Sequence, residues 1–488
     1  MDARRRRWEA IDIFDAGVDA ATPGRLLADV DFDPATGTIS VGPHRIAATG
    51  LRRVLVLGAG KAAERLCLSL VRALVQKGKP APEISVVALV PRSPQTRPDP
   101  IQDELFGADN WKHVETDADG SRVMKREVAW EWKVVGVRPR DANEPTAAAV
   151  QTTQRVLRLV RGLGADELLF CAFTGGGSAT LCAPAEGLTL DDKLEAVRLL
   201  TADGATIDAI NLLRRHLSAV KGGRLAEAAS GARAVVSILV SDVEGDDPSV
   251  IASGPAVADR TTFQSALDLR DEWPARVRQH LERGVAGELP DTPATLPPNV
   301  LAHVILTPSD ALFGAYAHAR DGGWNVVALP RPTPSDVDAC VAAHLEAVRS
   351  APAGSAILSV GETPVTLPQN PPLGGRAGHL AVAIAVAIEA DPSLRGRATI
   401  LVGATDGEDG TSGTAGGVVD SDVLRNAAAE GLDPVRMLER RASLSLLRIG
   451  GGTLPAETTG TNVQDLRVIL VTRDGEGGET REDVARRS

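Results

Sequence analysis

The first unbroken apolar block is Val54–Leu57, inside RVLVLGAG, with no polar position between its members. A strand buried on both faces reads this way, as parallel strands do. From Lys61 the spacing turns helical: Leu66, Leu70 and Leu74 share a face and Gly78 supplies a stop. EISVVALV is then a second strand, and strand–helix–strand predicts a doubly wound α/β domain. The pattern continues with a helix over 145–162, the strand ELLFCAF, a helix beginning after Thr189 as N-cap, a helix over TIDAINLLRRHLSAVKGG and the strand AVVSILVSDV. Between these, WKHVETDADGSRVMKREVAWEWKVV reads as two strands around the turn DADG. It is an inserted hairpin over about 103–135 that holds Trp111, Trp130 and Trp132. A lid, a contact in a homodimer and plain surface decoration are the roles open to it.

The Pro-rich stretch LPDTPATLPPNVLAH, Leu289–His303, is the expected domain boundary. Beyond it VILTPSD, NVVALP, SAILSVGETPVTL, a helix from about Gly378, ATILVGATDGEDG and DLRVILVTR again alternate strand and helix. The expected organisation is an N-terminal domain over 1–288, a smaller α/β domain over 300–473, and a disordered charged tail over 474–488.

Composition narrows the function classes. Two or three domains suit 488 residues, and a 43% hydrophobic, 24% charged chain is globular. A net charge of −11 argues against a general nucleic-acid binder but leaves room for a local basic pocket. The four cysteines, Cys67, Cys171, Cys182 and Cys340, show no metal-ligand spacing and read as buried thiols. The basic start, MDARRRRWEAIDIFDAG, lacks the apolar stretch of a signal peptide, and LAVAIAVAI is too short to span a bilayer. A cytoplasmic protein without membrane or nucleic-acid partners is expected.

Five loops repeat one design, a strand end followed by glycine with a charge or hydroxyl: GAGKAA, TGGGS, SDVEGDD, GETPV and TDGEDGTSG. Ligands of open α/β sheets bind beyond the carboxyl ends of the strands, where backbone N–H groups can meet an anion. GAGKAA also fits the dinucleotide fingerprint, but the acid expected about 20 residues on is missing. A tight strand–helix turn with a solvated Lys61 is the other reading of this loop. TGGGS offers a phosphate cradle from Gly175, Gly176, Gly177 and Ser178, or a plain glycine turn. Asp242 and Asp246 could hold Mg²⁺, which takes one or two carboxylates plus phosphate oxygens. Either could instead act as a base or cap a turn. Arg376, between glycines at a helix start, can clamp a carboxylate or phosphate. His216 and His379 read as structural, and no GxSxG elbow points to a hydrolase.

Taken together, LGAGKAA, TGGGSATLCAPAEGLTLDDK, INLLRRHLSAVKGGRLA, LVSDVEGDDPSVIASGP, GETPVTL, ATDGEDG and TGTNVQDLRVILV resemble the class II glycerate 2-kinases with a C-terminal MOFRL domain. They run in the family's order from about residue 50 to 471. The resemblance implies a Rossmann-like first domain, a smaller MOFRL-type second domain and an active site in the cleft between them. It implies phosphoryl transfer from ATP, with Mg²⁺, to the 2-hydroxyl of D-glycerate or a related small hydroxy acid, giving 2-phosphoglycerate. Lys61 and Arg376 would be the catalytic and substrate-facing cations, and Asp242 would orient or deprotonate the hydroxyl. Gly58, Gly60, the TGGGS loop and Asp246 would face nucleotide and metal, and Asp406 would face the substrate. Three motifs depart from the family pattern. GVRPRD has Val137 where histidine is expected, GGRAGH lacks the amide and acid after its arginine, and DGTSGTAG has Gly413 at an aspartate position. A hydroxypyruvate reductase and a non-catalytic nucleotide-binding homologue are the competing expectations.

Overall fold

The computed structural model describes residues 2–25, 29–33, 35–75, 83–91, 115–116, 122–126, 130–138, 144–330, 336–368 and 370–473. Gly78, Trp111, the DADG turn and the tail 474–488 lie outside them. The chain forms two compact units, one of residues 23–306 and one of residues 1–22 with 307–488.

The first unit is built on a sheet of six parallel strands: Arg53–Ala59, Glu83–Pro91, Trp130–Arg138, Glu167–Phe173, Ala234–Val240 and Val300–Leu306. Numbered one to six along the chain, they lie side by side as 3-2-1-4-5-6. That is the dinucleotide-fold order, and its switch point falls between Arg53–Ala59 and Glu167–Phe173. All seven residues of Glu167–Phe173 and of Ala234–Val240 are buried, as the uninterrupted apolar runs require. Helix Ala63–Leu74 covers one stretch of this sheet, and helix Ala147–Arg161 packs into its main core.

The hairpin strands Glu115–Thr116 and Arg122–Arg126 extend the sheet antiparallel beyond Trp130–Arg138, so the insertion is a sheet extension. A second cluster, around Leu213, Phe263, Trp273 and Leu281, holds the helices Leu190–Ala202, Ile207–His216 and Ala275–Val285 together. Thr189 caps the first of these with a full capping box to Asp192. A small antiparallel sheet, Val30–Asp33, Thr38–Val41 and His44–Ala47, precedes the first parallel strand.

The second unit carries a six-stranded mixed sheet: Asn325–Ala328, Ser355–Val360, Asp465–Val471, Ala398–Ala404, Thr414–Val419 and Thr453–Pro455, in spatial order. Asp465–Val471 runs antiparallel between Ser355–Val360 and Ala398–Ala404. Helix Arg376–Ala390 packs in the core on one side of the sheet. The other core contains helix Ala3–Ala20, through Ala10, Ile13, Phe14 and Val18, together with helix Pro308–Asp321. The backbones of these two helices come close. A Cβ on Gly17 would lie 2.8 Å from the Ala311 carbonyl, and one on Gly314 2.3 Å from the Ala20 Cβ.

The division therefore differs from 1–288 and 300–473. The first helix belongs with the C-terminal unit, because its apolar stripe is buried there. Val300–Leu306 belongs with the N-terminal sheet, because it pairs with Ala234–Val240. Among the described residues no helix is long and apolar enough to cross a membrane.

Candidate active site

Three of the glycine loops end neighbouring parallel strands of the first unit. GAGKAA follows Arg53–Ala59, TGGGS follows Glu167–Phe173, and SDVEGDD follows Ala234–Val240. The register pairs Ala59 with Phe173 and Phe173 with Leu239, so the three loops leave the sheet at one edge. The first two flank the switch point and are laced together. Lys61 N donates to the Gly175 carbonyl at 2.9 Å, Thr174 N to the Ala59 carbonyl at 3.0 Å, and Ala62 N to Thr174 Oγ1 at 3.2 Å.

This lacing explains the glycines. Gly60 sits at φ +124°, and a Cβ there would fall 2.3 Å from Thr174 Oγ1. A Cβ on Gly177 would meet the Ala252 Cβ at 2.8 Å and the Ala59 carbonyl at 3.1 Å. Gly58 is as tight, 2.5 Å from Cys67 Sγ. The expectation of an open cradle is corrected in part. The N–H groups of Gly60, Lys61 and Gly177 are spent on the carbonyls of Leu89, Gly175 and Thr174. The polar side chains these two loops carry beside the switch point are Lys61, half-buried just ahead of helix Ala63–Leu74, and half-buried Ser178.

Ser178 Oγ meets Ser253 Oγ at 2.7 Å. Ser253 and its neighbour Ala252 hold φ +61° and +53°, unusual for residues with a Cβ. Four consecutive carbonyls there, from Ala252 to Pro255, are held by Lys221 Nζ and the backbone N–H groups of Gly222, Gly223 and Leu225. At the head of the same loop Ser241 Oγ donates to Asp246 Oδ1 at 2.6 Å, and Asp246 sits at φ +54°. Asp242 and Asp246 are both half-buried. Hard carboxylate oxygens at a strand end suit Mg²⁺, so the donor set fits the ion.

In the second unit, Arg376 is the first residue of helix Arg376–Ala390. Its Nε donates to Asp465 Oδ2 at 2.9 Å, and its Nη2 to Asp465 Oδ1 and to Glu362. Nη1 makes no hydrogen bond among the described residues. Burial works against the guanidinium charge, but Asp465 and Glu362 outweigh it and hold its pKa above the ordinary arginine range. Glu362 follows Ser355–Val360, Asp406 follows Ala398–Ala404, and Asp465 opens the strand between them. The acids therefore share one edge of the sheet. Asp465 and Glu362 are partners of Arg376 that motif reading missed, although TGTNVQDLRV and GETPV contain them.

Asp409 has a different task. Its two oxygens accept from Ala377 N at 2.9 Å and Gly378 N at 2.8 Å, capping the helix that carries Arg376. Burial, with Asp465 nearby, raises it to about 6. His216 and His379 are buried, bonded to Thr261 and Ser443, and driven down to about 4 by burial, so both are neutral structural groups. Val137, at the expected histidine position, is wholly buried in the sheet core. Gly413 sits at φ +68°. All four cysteines are buried thiols.

Residues 9–283 match the family described as a domain of unknown function, DUF4147, and residues 355–465 match the MOFRL family. A protein named D-glycerate 2-kinase from Thermotoga maritima is 34% identical over 67% of this chain and 78% of its own. A glycerate kinase structure from the same organism superposes with a TM-score of 0.72 at 27% identity, covering 96% of this chain and all of that one. The chain belongs to the glycerate kinase family. A further relative, from Agrobacterium vitis, is 35% identical over 67% of this chain and 86% of its own, and carries the name hydroxypyruvate reductase. The glycerate kinase family thus spans both units, and its MOFRL part contains Arg376, Glu362, Asp406 and Asp465.

Proposed function

We propose that this protein transfers the γ-phosphoryl group of ATP to the 2-hydroxyl of D-glycerate, giving 2-phosphoglycerate and ADP. The observation that carries the reading is that the loops holding Lys61, Ser178 and Asp242–Asp246 leave three neighbouring strands at one edge of the sheet, the first two flanking its switch point, in a chain whose relatives include a D-glycerate 2-kinase. Phosphoryl transfer asks for positioning and charge neutralisation, and these loops supply a cation, hydroxyls and carboxylates. Lys61 offsets charge on the transferring group. Asp246 and Asp242, on the same loop, would hold Mg²⁺, which supplies further neutralisation of the phosphates. Asp242 orients the acceptor hydroxyl and takes its proton. The hydroxyl oxygen bonds to the γ-phosphorus as the bond to the β-phosphate oxygen breaks, and ADP leaves.

In the other unit Arg376 is held in place by Asp465 and Glu362, and its Nη1 is offered to the acceptor carboxylate. The lacing of the glycine turn also disfavours a dinucleotide pyrophosphate there, because the N–H groups it would need already have partners. The test is ADP release with MgATP and a panel of small hydroxy acids, with NADH and hydroxypyruvate as the opposing arm. Turnover of D-glycerate supports the reading. NADH oxidation without ADP release overturns it in favour of the reductase.

A further inference from the structure

The segment INLLRRHLSAVKGG brings cations into the first unit that the proposed mechanism does not use. Arg214 lies on helix Ile207–His216, half-buried. Its Nη1 donates to Asn211 Oδ1 at 3.3 Å, and the same Oδ1 accepts from Ser253 Oγ at 3.0 Å. Ser253 in turn holds Ser178 of the TGGGS loop at 2.7 Å. One buried amide oxygen therefore ties Arg214 to a loop at the switch point.

The opposite edge of the guanidinium, Nε with Nη2, makes no hydrogen bond among the described residues. That edge is the planar fork that matches two oxygens of one phosphate or carboxylate. Behind it lie two buried lysines. The wholly buried Nζ of Lys221 donates to the Ala252 carbonyl at 2.9 Å, and Lys193 Nζ to the carbonyls of Arg214 and Leu217 at 3.0 and 3.2 Å. Neither Arg214 nor Lys221 forms an ion pair among the described residues. Lys221 is driven well below the lysine range, first by burial and then by Lys193 and Arg214 as like charges. Burial thus favours the neutral amine of Lys221, and Arg214, without an ion-pair partner among the described residues, is the charge that meets an incoming anion.

We propose that Arg214 binds a phosphate group of the nucleotide through its Nε–Nη2 edge, and that Asn211 is the positioning residue that aims it. The identity of the ligand rests on the kinase reading; the anion site rests on this geometry. Titration calorimetry with ADP, adenosine and inorganic pyrophosphate tests it, on the wild type, Arg214→Gln and Arg214→Lys. Losing the charged fork costs about 10- to 100-fold in ADP affinity. Pyrophosphate binding disappears in Arg214→Gln, adenosine binding stays as it was, and Arg214→Lys retains part of the ADP affinity. Asn211→Ala weakens ADP and pyrophosphate binding in step and leaves adenosine binding unchanged, which a merely structural role would not do.

Wild-type ADP affinity in Arg214→Gln overturns the proposal, as does an equal loss for adenosine. So does failure of the wild type to bind either ADP or pyrophosphate. The kinase reading is judged separately by glycerate turnover. A pyrophosphate site that Arg214→Gln abolishes stands even if no glycerate is phosphorylated, and turnover with unchanged ADP binding sinks only the role of Arg214.

Discussion

At the residue scale, the proposed phosphoryl transfer leans most on Lys61. It sits beside the switch point in a turn fixed by backbone bonds, which a change of side chain leaves in place. Lys61→Ala is expected to lower kcat/KM about 10²–10³-fold, by analogy with the loss of one preorganised donor, with the melting curve unchanged. Lys61→Arg is expected to be impaired as well, because a planar fork does not replace a compact ammonium. Steady-state kinetics beside thermal melts check both, and near wild-type kcat/KM in Lys61→Ala leaves it a solvated turn residue.

Arg376 has a partner problem of the opposite kind. Asp465→Asn removes the carboxylate that aligns its fork, while Glu362 remains. KM for the acceptor should rise about tenfold, worth about 1.4 kcal/mol, with kcat less affected. Lys61, Ser178 and Arg376 could be singled out from motifs because glycine neighbours mark them. Asp465 could not, since a single acid at the mouth of an apolar strand reads as a strand boundary until pairing sets it beside Glu362. Asn211 was equally hidden, as one polar residue on a helix whose partners lie far along the chain.

At the scale of elements, the parallel strands were legible because burial on both faces leaves an apolar block. Helix ends were less so. The stretch from Thr206 to Gly223 has helical spacing throughout, yet the helix stops at His216, where Leu217 to Leu225 turn back to hold the Ala252–Pro255 carbonyls. The antiparallel placement of Asp465–Val471 was not readable either, because a strand buried on both faces looks the same in either direction. The glycines of TGGGS were visible, but the reason for Gly177 was not: it admits another loop.

That reason can be tested with Gly177→Ala. The added methyl group must displace Ala252 or the Ala59 carbonyl, and overpacking of this kind costs about 1–3 kcal/mol. Urea unfolding should show the loss. Activity should fall further than in a variant equally destabilised elsewhere, because the displaced loops carry Lys61 and Ser178. A variant with the full stability loss but normal turnover would show that the lacing serves stability alone.

At the scale of the whole molecule, buried histidines set a pH dependence. His216, His344 and His379 are 0%, 2% and 5% exposed, and burial drives each down to about 4. Unfolded imidazole takes its proton near 6.5, so between roughly 6.5 and 4 the unfolded chain binds more protons. Stability is therefore full above that window and falls as the pH drops through it, by up to roughly 3 kcal/mol for each ring. Asp15 and Asp409, raised to about 6 by burial, act in the opposite sense over the lower part of the window. Three rings against two carboxyls leave a net loss. The urea midpoint should be lower at pH 5 than at pH 7, and His344→Gln should flatten the difference. Equal midpoints in the wild type would contradict the burial argument.

The N-terminal helix gives a second expectation at this scale. Deleting residues 1–22 strips Ile13, Phe14 and Val18 from one core of the C-terminal unit, roughly 5 kcal/mol of burial. Hydrogen exchange should accelerate across the strands of that unit and stay unchanged in residues 53–306. Uniform acceleration in both would show that the helix is not confined to the unit it packs in.

That same helix has a history before it has a structure. It leaves the ribosome well before Pro308–Asp321, the helix it lies against, which is about 290 residues further on. At about 5–20 residues per second the wait is about 15–60 s. Through that interval Ile13, Phe14 and Val18 have no core to enter, while the arginines at 4–7 and the acids Asp12, Asp15 and Asp19 keep the segment wetted. Residues 23–306 are made in full before helix Ala3–Ala20 can close onto its partner. A gene rearranged to encode residues 1–22 after residue 473 would remove that delay.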